Sequence, residues 1–116
     1  MMTGAMLGLM QQLGMDIVVL TEEINDTEFF ASRLTRSETL RLLKSLSKTA
    51  NSLPVETRER LHEIDWVAWD TLAKLLSTPS KHPLQIWVAI KELTPMTVQQ
   101  LNGYKKVQPE LFSIVP

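Results

Sequence analysis

The chain contains no cysteine. Disulfides, thiolate-bound metals, iron–sulfur clusters and a cysteine nucleophile are therefore excluded, and the composition fits a reducing compartment. Histidine occurs only twice, as His62 and His82. A zinc site needs three or four ligands, and these two lack helical i,i+4 spacing, so no metal is expected. Glycine is scarce as well, and Gly4, Gly8 and Gly14 all fall in the first segment. Gly4-x-x-x-Gly8 has neither the Lys nor the preceding strand of a phosphate loop, and no serine sits in a glycine-flanked elbow. No cofactor is expected. Alternating apolar and polar runs are missing, and so is an Asn-Gly turn between strands. The net charge of -1 argues against a generally basic nucleic-acid coat but leaves room for a local basic patch. No Lys or Arg precedes Arg33, so the apolar N-terminal stretch lacks the basic leader of a signal peptide. Gln11, Gln12 and Asp16 interrupt that stretch. It reads as a soluble helix, too short for a membrane span, in a cytoplasmic protein.

What remains is helical periodicity in a chain of single-domain size, 116 residues with 44% hydrophobic. A first helix is expected from about Met2 to Ile24, with Met6, Leu9, Met10, Leu13, Ile17 and Leu20 at spacings of three and four. Gly4 and Gly8 would let a neighbouring backbone come close. Asn25, Asp26 and Thr27 read as a loop, with Phe29 and Phe30 plugging the core. A second helix is expected to begin at Thr35, where Thr35 and Glu38 match a capping box. Leu40, Leu43, Leu46, Ala50 and Leu53 form its inward stripe. Pro54 opens a short helix to about Leu61, and Asp65 caps a fourth from Trp66 to Leu76. Pro83 opens a fifth to about Leu93, and Thr94-Pro95 opens a last one that Asn102-Gly103 closes. The expected fold is an all-α bundle of four main helices with short accessory helices, over residues 1–104, followed by an apolar tail over 105–116.

Two charged groups stand out. Glu22, Glu23, Asp26 and Glu28 crowd the first loop. Paired carboxylates perform acid–base work when burial splits their pKa values, but on a polar loop they read as solvated. Arg33, Arg36, Arg41, Lys44 and Lys48 form a basic stripe, of which Arg41, Lys44 and Lys48 fall opposite the inward stripe. Arg36, Arg41, Lys44 and Lys48 are the candidates for RNA or partner binding, against the plainer reading of a solvent face. Trp66, Trp69 and Trp87 read as core, leaving no aromatic platform for bases.

Several segments together resemble the HepT-like branch of the HEPN superfamily. They are Glu28-Phe29-Phe30, the stretch Ser47 to Leu53, His62-Glu63-Ile64-Asp65-Trp66, and Ile86 to Pro95. The match runs without a gap from about Ile17 to Leu76 and resumes near Gln85. The resemblance implies a dimerising helical bundle. It also implies a metal-independent ribonuclease, usually a toxin neutralised by a minimal nucleotidyltransferase antitoxin. In the family an Arg holds phosphate charge and a His moves the proton, with a Tyr nearby, at the end of the fourth helix and across the dimer contact. Here the Arg position holds Ala73 and the polar position Lys74, the His position holds Thr78, and the Tyr position holds Ser80. Neither Ala nor Thr replaces a guanidinium or an imidazole.

The leading expectation is thus a HepT-like protein without the ribonuclease site, a dimerisation or binding module within a toxin–antitoxin or defence locus. The alternative is an active divergent ribonuclease using Lys74 and His82. A third reading is an adaptor that grips a partner through Leu111–Val115. The fourth helix and the loop after it are the expected dimer contact, because the resemblance implies pairing there and because Trp66, Trp69, Leu72, Leu75 and Leu76 exceed one core-facing stripe. RNA binding is expected to be weak or absent, and no membrane association is expected.

Overall fold

Leu7, Met10, Leu13 and Ile17 recur every three or four residues, and that spacing makes one side of the first helix a wall of the core. The computed structural model describes residues 3–113. The expected start at Met2 and the tail residues Ile114 and Val115 lie outside the described residues. The helices are α1 (Thr3–Thr21), α2 (Asp26–Ala31), α3 (Arg33–Ser52), α4 (Val55–Arg60), α5 (Trp66–Leu75), α6 (Pro83–Val88) and α7 (Thr94–Val107). Short 3₁₀ turns cover Pro79–Lys81 and Pro109–Phe112. The fold is an all-α bundle, with no strand among the described residues. Helix α1 packs against α3 and α7, and α3 packs on its other side against α5. Leu43 and Leu46 of α3, Trp69 of α5, Ile90 and Leu101 fill the space between them.

Helix α1 is long and apolar enough, by length and composition, to cross a bilayer, which corrects the sequence reading of it as too short. In this fold one face of it lines the core, with Leu7, Met10 and Ile17 fully covered, while Leu9, Met15 and Val19 are exposed. It stops at Thr21 rather than Ile24. The Thr21 hydroxyl donates back to the Ile17 carbonyl, and the Lys91 ammonium donates to the Thr21 carbonyl. A cation on the last carbonyls suits the negative end of the helix dipole.

The first loop is partly a helix. Asn25 caps α2: its side chain accepts from the Glu28 N–H at 2.8 Å, and the Glu28 carboxylate accepts from the Asn25 N–H at 3.1 Å. This reciprocal box forms here, and the one expected at Thr35 and Glu38 does not. Ser32 ends α2 and caps α3, so α3 starts two residues before Thr35. Phe29 is buried as expected, and Phe30 is half-buried against it.

The last two expected helices are one continuous rod. Ala89–Leu93 forms a π turn between α6 and α7. The Thr94 N–H and hydroxyl both donate to the Ala89 carbonyl. Pro95 has no N–H, and its ring pushes away the carbonyl one turn back. A wider π turn just ahead of it absorbs both defects, so Thr94-Pro95 lies inside the rod. Gly103 does not end the helix, which runs on to Val107. The segment after it folds back: the Pro109–Phe112 turn packs against α1, with Leu111 and Phe112 half-buried against the core.

Glycine matters at two contacts. A Cβ at Gly4 would overlap the Ser113 backbone, and one at Gly14 would overlap Val98 Cγ2. Gly8, expected to allow a close approach, has nothing within 4 Å of such an atom. Val98 is β-branched and stiff, so it does not swing aside cheaply. Gly14→Ala is therefore expected to destabilise the fold by about 1–3 kcal/mol. Gly8→Ala is expected to stabilise it by up to about 1 kcal/mol through helix propensity. Chemical denaturation checks both signs, and a stabilising Gly14→Ala would contradict the packing.

Candidate functional site

Helix α5 separates two surfaces of opposite character. It is well started: the Asp65 carboxylate accepts from the Ala68 N–H at 3.0 Å, and Trp69 is fully buried with its indole N–H on Thr97 Oγ1 at 3.1 Å. Ser47 Oγ on α3 donates to the Trp69 carbonyl at 3.3 Å. These contacts fix how α5 is rotated and which residues it presents on each flank.

On the α3 side lies a cleft lined by Lys44, Ser47, Lys48, Asn51, Ser52, Ala73 and Leu76. Ala73 thus sits beside two of the expected binding lysines. The basic stripe itself is divided. The Arg41 guanidinium holds Glu38 with two hydrogen bonds, at 2.6 and 3.1 Å, and these bonds hold the Glu38 carboxyl below its ordinary range. Arg36 turns inward and donates to the Phe30 carbonyl. Lys44 and Lys48 are exposed, and neither has an acidic partner among the described residues. Of the four candidates, the structure leaves these two as open cations on one cleft.

Lys74 is exposed on the last turn of α5, and Ser77 Oγ donates to its carbonyl. Thr78 precedes the Pro79–Lys81 turn, Ser80 is exposed on it, and His82 is half-buried just ahead of α6. Neither Lys74 nor His82 lines the α3–α5 cleft. Among the described residues no group of three His, Asp or Glu is placed to hold a metal. Tyr104, the only tyrosine, accepts the Glu63 N–H at 3.1 Å, and burial pushes its pKa up.

On the other flank lies a groove of about 440 Å³ between α5 and α6. Ala68, Thr71, Leu72, Leu75, Leu84, Gln85, Val88, Ala89 and Leu93 line it, and none is charged. Leu84 is 70% exposed and Val67, one turn before Thr71, is 74% exposed. Met96, one turn beyond Leu93, is also exposed. The apolar surplus is partly where the sequence placed it, since Leu72 and Leu75 line this groove, while Trp69, Leu72 and Leu76 are buried in the chain's own core and Val67, Leu84 and Val88 add the exposed apolar surface. Trp66 and Trp87 are half-buried rather than fully covered.

Arg58 was not singled out by the sequence. Its guanidinium donates to the Ala50 carbonyl at 2.8 and 3.1 Å, to Asn51 Oδ1, and to both oxygens of Asp70 at 3.0 and 3.3 Å. It also lies 5.1 Å from the centre of the Trp66 ring. Its partners come from α3 and α5, on either side of it in the chain, so no local spacing announced the cluster.

The charge pattern makes a clear expectation for nucleic acid. Any RNA affinity should be weak, should fall steeply with salt, and should vanish in Lys44→Glu with Lys48→Glu. Replacing Glu38 and Arg41 together by Gln should change it little, because the ion pair they form carries no net charge. Filter binding at two salt concentrations checks this, and binding that survives the lysine pair's reversal would contradict it.

No family model, curated protein sequence or solved structure shows a significant match to this chain. The HEPN resemblance therefore rests on the order and spacing of the motifs in the sequence itself.

Proposed function

We propose that this chain is a HEPN-like association module without ribonuclease activity, and that it pairs with a second copy of itself through the α5–α6 face. The observation that carries this reading is the uncharged groove with Leu84, Val88 and Val67 standing exposed around it. A patch of that kind on a surface otherwise rich in charge is a usual mark of an interaction site. A second copy fits it for a specific reason. In a two-fold contact each residue near the axis meets its own counterpart or a near neighbour, so a charged face would set like charges together. This face has none to oppose. Its ridge of Leu84 and Val88 lies beside the hollow over Leu72 and Ala89, which gives two copies complementary shapes to exchange. Stable pairs bury about 800 Å² per partner, so the contact would extend beyond the groove to Val67 and Met96, which stand together at the start of α5 with Glu63 and Asp65 at the rim.

The absence of catalysis follows from chemistry. Metal-free RNA cleavage needs one group that moves a proton and another that holds phosphate charge, and each typically contributes a factor of about 100 or more. Ala73 and Thr78 supply neither. Lys74 and His82 are separated by the turn over Pro79–Lys81, with Pro83 stiffening the far side.

Sedimentation equilibrium tests the pairing. The unmodified chain is expected to be a dimer at roughly tens of micromolar, and Leu84→Glu with Val88→Glu a monomer with unchanged helicity, its association at least about a hundredfold weaker. A monomeric unmodified chain, or a dimer indifferent to both substitutions, would overturn the reading. Incubation with mixed RNA and EDTA should show no cleavage. Cutting that stops in Lys74→Ala or His82→Ala would instead establish the ribonuclease.

A further inference from the structure

Away from both flanks of α5, a second cleft of about 360 Å³ opens between α2, the start of α3 and the head of α6. Its base is made of settled core: Phe29 and Ile86 are 0% and 1% exposed. Phe30 and Pro83 form apolar walls, and the polar groups on it are the Arg36 side chain and Ser80. This is the composition of a small-molecule site, an apolar body with few polar groups, and its volume falls in the lower part of the usual range of about 300–1,000 Å³.

The Arg36 guanidinium is the telling group. It is half-buried, and one of its nitrogens is anchored on the Phe30 carbonyl, which fixes its orientation before any ligand arrives. Among the described residues no carboxylate pairs with it. A carbonyl satisfies one donor but leaves the positive charge uncompensated beside aromatic and proline surfaces, where water screens it less than in the open. None of the residues lining the cleft is acidic, and Glu28, on the neighbouring α2, is engaged at the Asn25 N–H. A neutral guest would cover the guanidinium without answering its charge. A phosphate dianion would find one fixed guanidinium where such groups usually meet several cations.

We propose that this cleft binds a small organic carboxylate with an aromatic or compact aliphatic body. The carboxylate pairs with Arg36 and accepts from the Ser80 hydroxyl, and the body lies between Phe30 and Pro83. This site is independent of the pairing face. Trp87 lies just behind the wall, 6.4 Å from Phe30 between ring centres, and provides a fluorescent reporter.

The test compares acids with their own amides. The probes are 3-phenylpropanoate, indole-3-acetate and octanoate with the three matching primary amides, followed by calorimetry and ligand-observed NMR, with Trp fluorescence for the non-indole probes. At least one acid is expected to bind with a Kd below about 1 mM, and its amide about tenfold more weakly. In Arg36→Gln that difference should disappear. Ser80→Trp, placed on an exposed turn to cover the mouth, should weaken both acid and amide, the acid further because it also loses the Ser80 hydroxyl. The acid–amide comparison on the unmodified chain and the Ser80→Trp result decide the matter even if Arg36→Gln folds poorly. No acid bound, amides bound as tightly as acids, or a preference that persists in folded Arg36→Gln would each overturn the assignment.

Discussion

The Arg58 guanidinium donates to the Ala50 carbonyl near the end of α3 and to both carboxylate oxygens of Asp70 on α5, while lying against the Trp66 ring. Helix α3 would otherwise end with carbonyls short of donors. Helix α5 is held to it at the same point, and the Trp66 indole N–H is anchored on the Arg58 and Leu61 carbonyls. Charge-assisted bonds of this kind contribute roughly 1.5–3 kcal/mol where water is excluded, and less here on the half-exposed Asp70 side. Position matters more than size. The angle between α3 and α5 decides how wide the lysine cleft stands on one flank of α5 and how far Leu75 is turned out on the other.

That placement gives α5 two distinct faces. Lys44 and Lys48 overlook Ala73 on one side, while Thr71 and Leu75 line an uncharged groove on the other. Segregating charge in this way lets one face meet apolar surface without bringing cations into it. The lysines beside Ala73 give one flank a positive cleft, and the groove on the other flank carries no charge among its lining residues.

Much of the fold was legible in the sequence, because apolar spacing and capping residues act locally. Asp65 caps α5, Phe29 plugs the core, and Leu43, Leu46 and Ala50 face inward as their spacing requires. The misread boundaries share a cause: a local signal with more than one structural use. Thr-x-x-Glu at Thr35 and Asn-x-x-Glu at Asn25 are equivalent patterns, and Arg41 captured Glu38 while Asn25 kept Glu28. Thr94-Pro95 reads as a helix start, but a π turn lets the same pair ride inside a rod. The candidate site was less legible. Which of four cations stays open depends on Glu38 and the Phe30 carbonyl, and the Arg58 cluster joins residues from three parts of the chain. Outward apolar residues such as Leu84 and Val88 became visible only once the core had claimed Trp69, Leu72 and Leu76.

The claim that two copies meet across α5 and α6 has a direct geometric test. Because the chain has no cysteine, a single spin label can be placed at Glu92→Cys, exposed beside the groove without lining it, or at Lys44→Cys on the opposite flank of α5, without removing any native thiol. Dipolar electron resonance on each labelled protein then reports the distance between copies. The account predicts a shorter distance for the Glu92 label, beside the contact, and a distinctly longer one for the Lys44 label. No dipolar signal between copies at either position, or a shorter distance at Lys44 than at Glu92, would contradict it.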